Sequence, residues 1–197
     1  MRAKFPLFSN PINLAHMMWT QILNAHDTVI DATLGNGKDT LFVAQSIQKL
    51  GGGKIIGIDI QLEAIASATD LLTNHFTTFP HNIKFYHTSH ENFPQEIPLG
   101  SVKLIIYNLG YLPGFDKSIT TQTSTTQTSI QHALAFICPG GCISITCYIG
   151  HEEGDKEYKA LQPFLQKLPP QEYCFTEHTF NNRNHSPILL LIQKKVN

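Results

Sequence analysis

Positive charge of the kind that coats long nucleic acid is missing from this chain. Its 197 residues include only two arginines, Arg2 and Arg183, and the net charge is −1. Extended phosphate neutralisation is therefore excluded as a mode of binding, while a compact RNA gripped by a few local cations is not. Cysteine is scarce and unpaired: Cys138, Cys142, Cys147 and Cys174 form no Cys-x-x-Cys. Structural zinc takes closely spaced ligand pairs, so the expectation is four small buried hydrophobes and no metal. Residues 87–90, His-Thr-Ser-His, have no second ligand pair to join them. No apolar run approaches the roughly 20 residues of a membrane helix, and no basic-then-apolar leader opens the chain, so a soluble, cytoplasmic protein with no membrane partner is expected. With 42% hydrophobic and 15% charged residues, the composition is that of a lightly charged globular chain. A single domain over residues 1–197, with a helical segment over 1–26, is expected.

What is present is alternation. Apolar periodicity predicts helices over residues 12–25, 40–50, 62–75, 118–137 and 154–168. It predicts strands over 28–33, 54–60, 83–87, 102–107, 142–148, 172–180 and 187–192, with residues 138–141 as a stop and turn. Strands alternating with helices imply right-handed crossovers and a mostly parallel sheet covered on both faces. The last two strands lack a helix between them, which predicts a hairpin and one antiparallel edge strand. The fold class is α/β, with seven strands.

Five strand ends carry the chemistry. The first turn, Asp31-Ala-Thr33-Leu-Gly35-Asn36-Gly37-Lys-Asp39-Thr40, has glycines that let backbone approach a ligand and a helix start with free N–H groups. A dinucleotide site would have a third glycine where Thr40 stands, and acids at Asp31 and Asp39 repel a pyrophosphate. They suit a cationic amino-acid ligand, and a sulfonium bearing an α-amino group points to S-adenosylmethionine. Asp59, with Gln61 after it, ends the second strand, where an acid takes ribose hydroxyls or caps the next helix. Ser89-His90-Glu91-Asn92 follows the third strand, within reach of an adenine edge or as a solvated loop.

The run Asn108-Leu109-Gly110-Tyr111-Leu112-Pro113-Gly114 follows the fourth strand. It reads either as a polar turn or as an amine clamp, in which the amide oxygen accepts from an NH2 group and the tyrosine ring stacks on a planar base. Tyr148 and His151 end the fifth strand. His151 has an unperturbed pKa near physiological pH and is a candidate to take a proton from the amine. Glu157 either orients that imidazole or caps its helix.

These motifs resemble those of the small class I methyltransferases known as rRNA methylases. The resemblance rests on the block from Asp31 to Thr40, Asp59-Ile-Gln61, Ser89-His90-Glu91-Asn92, the Asn108 run with Asp116-Lys117-Ser118, and Tyr148-x-Gly-His151-x-x-Gly-x-x-Glu157. It runs in order from about Asp27 to the C-terminus. Phe115 and Ile149 depart from the glycine and proline common in the family. The resemblance implies a Rossmann-like fold, S-adenosylmethionine as cofactor, and methylation of the 5-aminomethyl nitrogen of a tRNA wobble uridine. The partner it implies is the tRNA anticodon stem-loop, with monomer and homodimer both open.

The expected site follows from both lines. Asn108, Tyr111 and His151 are the catalytic candidates. Asp31, Thr33, Gly35, Asn36, Gly37, Asp39, Thr40, Asp59, Gln61, Ser89, His90 and Asn108 face the cofactor. Leu109, Gly110, Tyr111, Pro113, Asp116, Lys117, Tyr148 and Arg183 face the substrate, with Lys117, Lys156 and Arg183 as phosphate contacts or plain solvated charges. Rival readings are methylation of a base's own exocyclic amine, disfavoured because Leu109-Gly110 replaces two prolines; a nicotinamide oxidoreductase, disfavoured by Asp31 and Thr40; and an RNA-binding module without catalysis.

Overall fold

The structure, a computed structural model, describes residue 5 and residues 9–112, 114, 120–150 and 152–196. Its elements alternate: α1 (Pro11–Ile22), β1 (Thr28–Asp31), α2 (Lys38–Lys49), β2 (Lys54–Asp59), α3 (Leu62–Phe76), β3 (Ile83–His87), β4 (Val102–Leu109), α4 (Thr123–Phe136), β5 (Ile137–Cys147), α5 (Glu152–Leu165), β6 (Tyr173–His178) and β7 (Ile188–Lys194). The seven strands form one sheet in the order β3-β2-β1-β4-β5-β7-β6. The fold is the expected α/β arrangement, a mostly parallel seven-stranded sheet with helices on both faces. Neighbours from β3 through β5 are parallel. The expected antiparallel strand is β7, and its place is one in from the edge, between β5 and β6. β6, antiparallel to β7, runs with the rest.

Central strands are buried on both faces and correspondingly apolar throughout, as parallel sheets require. One core packs Ile130 and Ala133 of α4 and Leu161 and Leu165 of α5 on the sheet. The other packs Leu14, Ala15 and Trp19 of α1, Val43, Ala44 and Ile47 of α2, and Leu72 of α3 on the opposite face. α1 starts cleanly because Asn10 accepts from the Asn13 N–H at 2.8 Å and Pro11 occupies the first turn.

Four expected boundaries move for identifiable reasons. β4 extends to Leu109, so Asn108 belongs to the sheet and pairs with Thr146 instead of opening the loop. α4 starts at Thr123, because Tyr111 bridges Thr120 and the Gly110 carbonyl takes the Thr121 N–H at 3.0 Å. Residues 138–141 are not a turn before β5 but an irregularity within it: Val102 pairs Ile137, yet Leu104 pairs Cys142. α5 begins at Glu152 and ends at Leu165, with Pro163 inside its final turn. Cysteine burial also divides: Cys142 and Cys147 are buried, Cys138 is partly so, and Cys174 is exposed on the outermost strand. Among the described residues no group of metal-ligating side chains forms, and no helix is long and apolar enough to cross a membrane.

Gly37 fixes how α2 leaves the first turn. Its φ is +73°, and a Cβ there would lie 2.7 Å from the Ala68 Cβ on α3. Gly37→Ala combines left-handed strain with overpacking and lowers the unfolding free energy by about 1–3 kcal/mol, as a urea titration would measure.

Candidate active site

β1 has β2 on one side and β4 on the other, so strand order reverses at β1. Ligands of open α/β sheets bind at that switch point, outside the carboxyl ends of the strands. A cleft of about 1100 Å³ lies there. Its walls are residues 32–36, Lys38 and Asp39 after β1, residues 59–61 after β2, and residues 89–91 after β3. Asn108, residues 110–112, 120–122 and Thr125 form the β4 side, Tyr148 and Gly150 the β5 side. Ile12 of α1 and His185 of the β6–β7 turn complete it.

Most expected cofactor residues line this cleft; Asp31, Gly37 and Thr40 do not, and lie behind the wall. Asp31 is 1% exposed and accepts the Thr40 hydroxyl at 2.7 Å. Burial, reinforced by the neighbouring Asp39 carboxylate, pushes the Asp31 pKa up to about 7, against smaller opposing hydrogen bonds from Thr40 and Thr33. Asp59 joins two turns, taking the Gly35 N–H at 2.9 Å and the Gln61 N–H at 3.0 Å. Gln61 is the residue preceding α3, and its own side chain makes no cap. Asn36 accepts from the Ser67 hydroxyl at 3.0 Å, and Ser89 donates to Glu91 at 3.2 Å.

The β4 side is organised by Asp39. One of its carboxylate oxygens lies 2.7 Å from His16 Nε2, and the other accepts from Asn108 Nδ2 at 2.8 Å. The Asn108 backbone N–H donates to the Thr33 hydroxyl at 2.6 Å. A carboxylate only accepts, so Asn108 must turn its NH2 toward Asp39 and its carbonyl oxygen away. That oxygen is buried and has no partner among the described residues. His90 Nε2 is likewise buried and unpartnered, and burial lowers the imidazole pKa against opposing effects from Glu91, Asp59 and the Thr125 backbone. The Thr120 hydroxyl, on the same cleft, is also buried with no partner among the described residues. Buried polar atoms are ordinarily satisfied, so three orphans beside one cleft point to partners supplied by ligands.

S-adenosylmethionine fits this donor and acceptor set. The described lining carries three carboxylates, Asp39, Asp59 and Glu91, against one ammonium, Lys38, an environment favourable to a sulfonium. Asp59 retains acceptor capacity for hydroxyls beyond its two backbone bonds. A neutral His90 can accept from an adenine amine.

The remaining candidates are dispersed. Tyr111 and Tyr148, each 37% exposed, both line the cleft, whereas Leu109 is buried beneath it. Arg183 is outside the lining; it donates to the Ser9 carbonyl at 2.7 Å and lies over the rings of Phe5 and Phe180. Lys156 pairs with Glu152 and Glu153. Glu157 is buried and accepts the Thr121 and Thr126 hydroxyls at 2.7 and 2.5 Å, tying α5 to the segment entering α4. Pro113, Phe115, Asp116, Lys117 and His151 lie outside the described residues. His16, the Thr121 and Thr126 partners of Glu157 and the approach of His185 were not legible in the sequence. Contacts 23 and 36 residues apart leave no local period.

Comparison with known proteins agrees with this architecture. The sequence model of the family described as "Putative rRNA methylase" matches residues 55–194. A protein of Arabidopsis thaliana named "tRNA (mnm(5)s(2)U34)-methyltransferase, chloroplastic" is 35% identical over 189 residues, covering 93% of this chain and 69% of that one. The crystal structure of a "putative rRNA-methylase" from Clostridium thermocellum superposes with a TM-score of 0.85 at 33% identity, covering 94% of this chain and 97% of that one. A "putative methyltransferase" from Streptococcus mutans, solved in complex with SAH, gives a TM-score of 0.81 at 29% identity over 94% and 98% of the two chains.

The raised Asp31 pKa has a thermodynamic signature. Between its unfolded value near 4 and its folded value of about 7, the folded protein holds a proton that the unfolded chain releases. This group's contribution therefore makes stability fall as pH rises through that window, by at most about 1.4 kcal/mol per pH unit. Asp31→Asn removes that component. The difference between wild-type and Asp31→Asn unfolding free energies, measured by denaturant titration from pH 4 to 8, should change across the window and level off above it.

Proposed function

The chain belongs to the rRNA methylase family of S-adenosylmethionine-dependent methyltransferases, and from that premise we propose that it methylates the 5-aminomethyl nitrogen of a tRNA wobble uridine. The observation carrying this reading is the buried Asn108 side-chain oxygen at the cleft, without a partner among the described residues, its orientation set by Asp39. Such an oxygen accepts one N–H of an amine and so directs the nitrogen lone pair toward a methyl donor. The name of the Arabidopsis relative supports the wobble-uridine substrate. An acid-rich cleft also suits an alkylamine, which arrives protonated, better than the neutral amine of a base.

Residues 1–197 are proposed to act as one catalytic domain in the cytoplasm, with the tRNA anticodon stem-loop as partner. Thr33, Gly35, Asn36, Asp39, Asp59, Gln61, Ser89 and His90 would hold S-adenosylmethionine, with Asp59 toward the ribose and His90 toward the adenine. Asp31, Gly37 and Thr40 would shape that turn from behind. Bound, the cofactor supplies an electrophilic sulfonium methyl and leaves as S-adenosylhomocysteine. Asn108 positions the amine, Tyr111 stacks on the uracil ring, and Tyr148 closes the other side against water. The ammonium must lose a proton before nitrogen can form the new C–N bond. His151, next after Gly150 at the cleft, is proposed as the acceptor on sequence grounds. Lys117 and Arg183 are proposed phosphate contacts.

The test is incubation of the protein with isotopically labelled methyl donor and tRNA whose wobble uridine stops at the aminomethyl stage, followed by nucleoside mass spectrometry. The label is expected on the aminomethyl nitrogen. Label on adenine, or on no tRNA nucleoside, overturns the substrate assignment. Asn108→Ala should lower kcat/KM roughly a hundredfold, the scale of one transition-state hydrogen bond. For His151→Ala, a lower kcat with its pH dependence near the imidazole range lost is expected. An unchanged pH profile removes His151 from the mechanism.

A further inference from the structure

α1 brings one titratable side chain to the acceptor side of the cleft. His16 stacks face to face on Phe42, with ring centroids 3.8 Å apart and 11° between planes, and tilts against Trp19 at 4.9 Å. Trp19 is 1% exposed and belongs to the core beneath. The ring is therefore held by packing from α1 and α2, and its rotamer is not free. Its Nε2 meets the Asp39 oxygen opposite the one that takes Asn108 Nδ2. Facing an acceptor-only carboxylate, Nε2 must carry hydrogen.

This chain has a directional consequence. An Asn side chain can present either end of its amide, and the two ends do opposite things to an incoming amine. The oxygen accepts an amine N–H, whereas the NH2 group opposes it. Asp39 selects the useful orientation only while its carboxylate points at Nδ2. Without a donor on the His16 side, one of the two hydrogen bonds that fix that carboxylate is gone and it is freer to rotate away from Nδ2. We propose that His16 is a positioning residue for amine methylation, acting through Asp39 to keep the Asn108 carbonyl oxygen aimed at the acceptor nitrogen. The proposal rests on the amine-methylating reading above and assigns to α1 a part in the chemistry.

Two substitutions separate positioning from packing. His16→Phe keeps a ring to stack on Phe42 but has no donor; His16→Gln gives up the ring and keeps an N–H donor. With saturating methyl donor and undermodified tRNA, His16→Phe should lower kcat roughly ten- to hundredfold, the scale of a misplaced reacting group. Its thermal midpoint and KM for the donor should stay near wild type. His16→Gln should recover most of kcat. A second readout needs no turnover: the Asn108 side-chain NH2, observed by NMR in the substrate-free protein and assigned by its loss in Asn108→Ala, should exchange with solvent several-fold faster in His16→Phe and not in His16→Gln. Unchanged kcat and exchange in His16→Phe overturn the proposal, as does equal loss in both variants. If wild type methylates a different amine, the substrate reading fails by itself. The His16 variants are then judged on that amine and by the same NMR exchange.

Discussion

The carboxylate of Asp39 is the joint on which the acceptor side of this site depends. It accepts from His16 on one oxygen and from Asn108 on the other, so it connects α1, the start of α2 and the carboxyl end of β4. Because a carboxylate has no hydrogen to give, both neighbours are obliged to donate, and the Asn108 oxygen is left facing elsewhere, without a partner among the described residues. Leaving a buried carbonyl unmade is costly in the free protein. A ligand N–H would recover that cost, so the arrangement that strains the free site fits the proposed amine substrate.

Topology explains why such a joint is available. The order β3-β2-β1-β4-β5-β7-β6 puts the reversal at β1 and lets the turns after β1, β2 and β4 face one cleft. Asp31 pairs Gly57 and Ile106 in the sheet, so β1 stops short of the ends of both neighbours, Asp59 and Leu109, and its turn opens beside their last residues. Asp59 then ties the β1 and β2 turns through the Gly35 and Gln61 N–H groups. The result is a negative cleft with backbone close to the ligand, suited to a cationic methyl donor. It also explains the division among acids. Asp39 and Asp59 line the cleft, whereas Asp31 is buried behind it and holds its proton up to about pH 7.

The strand and helix order was legible because buried parallel strands here are unbroken apolar runs and α2 and α3 have clear amphipathic periods. The first turn was legible as a candidate cofactor turn from its glycines and acids together, and residues 32–36 with Asp39 line the cleft. Asn108, the candidate amine ligand, was misplaced in a loop; its pairing with Thr146 depends on β5, which no local pattern around Asn108 encodes. The late start of α4 had the same origin, since the bridge between Tyr111 and Thr120 decides it. His16 was invisible for a different reason. On its own helix it is one of several polar residues, with Asn13, Thr20 and Gln21, and only the packing of α1 beside α2 brings it to Asp39.

The most direct test of the joint is a double-mutant cycle on kcat at saturating donor, using Asp39→Asn and Asn108→Ala. If Asp39 acts by orienting Asn108, each single variant slows methyl transfer and the double variant is no slower than Asn108→Ala alone, a fully coupled pair. If the two losses instead multiply, Asp39 acts independently of Asn108, and the account of the acceptor site is wrong.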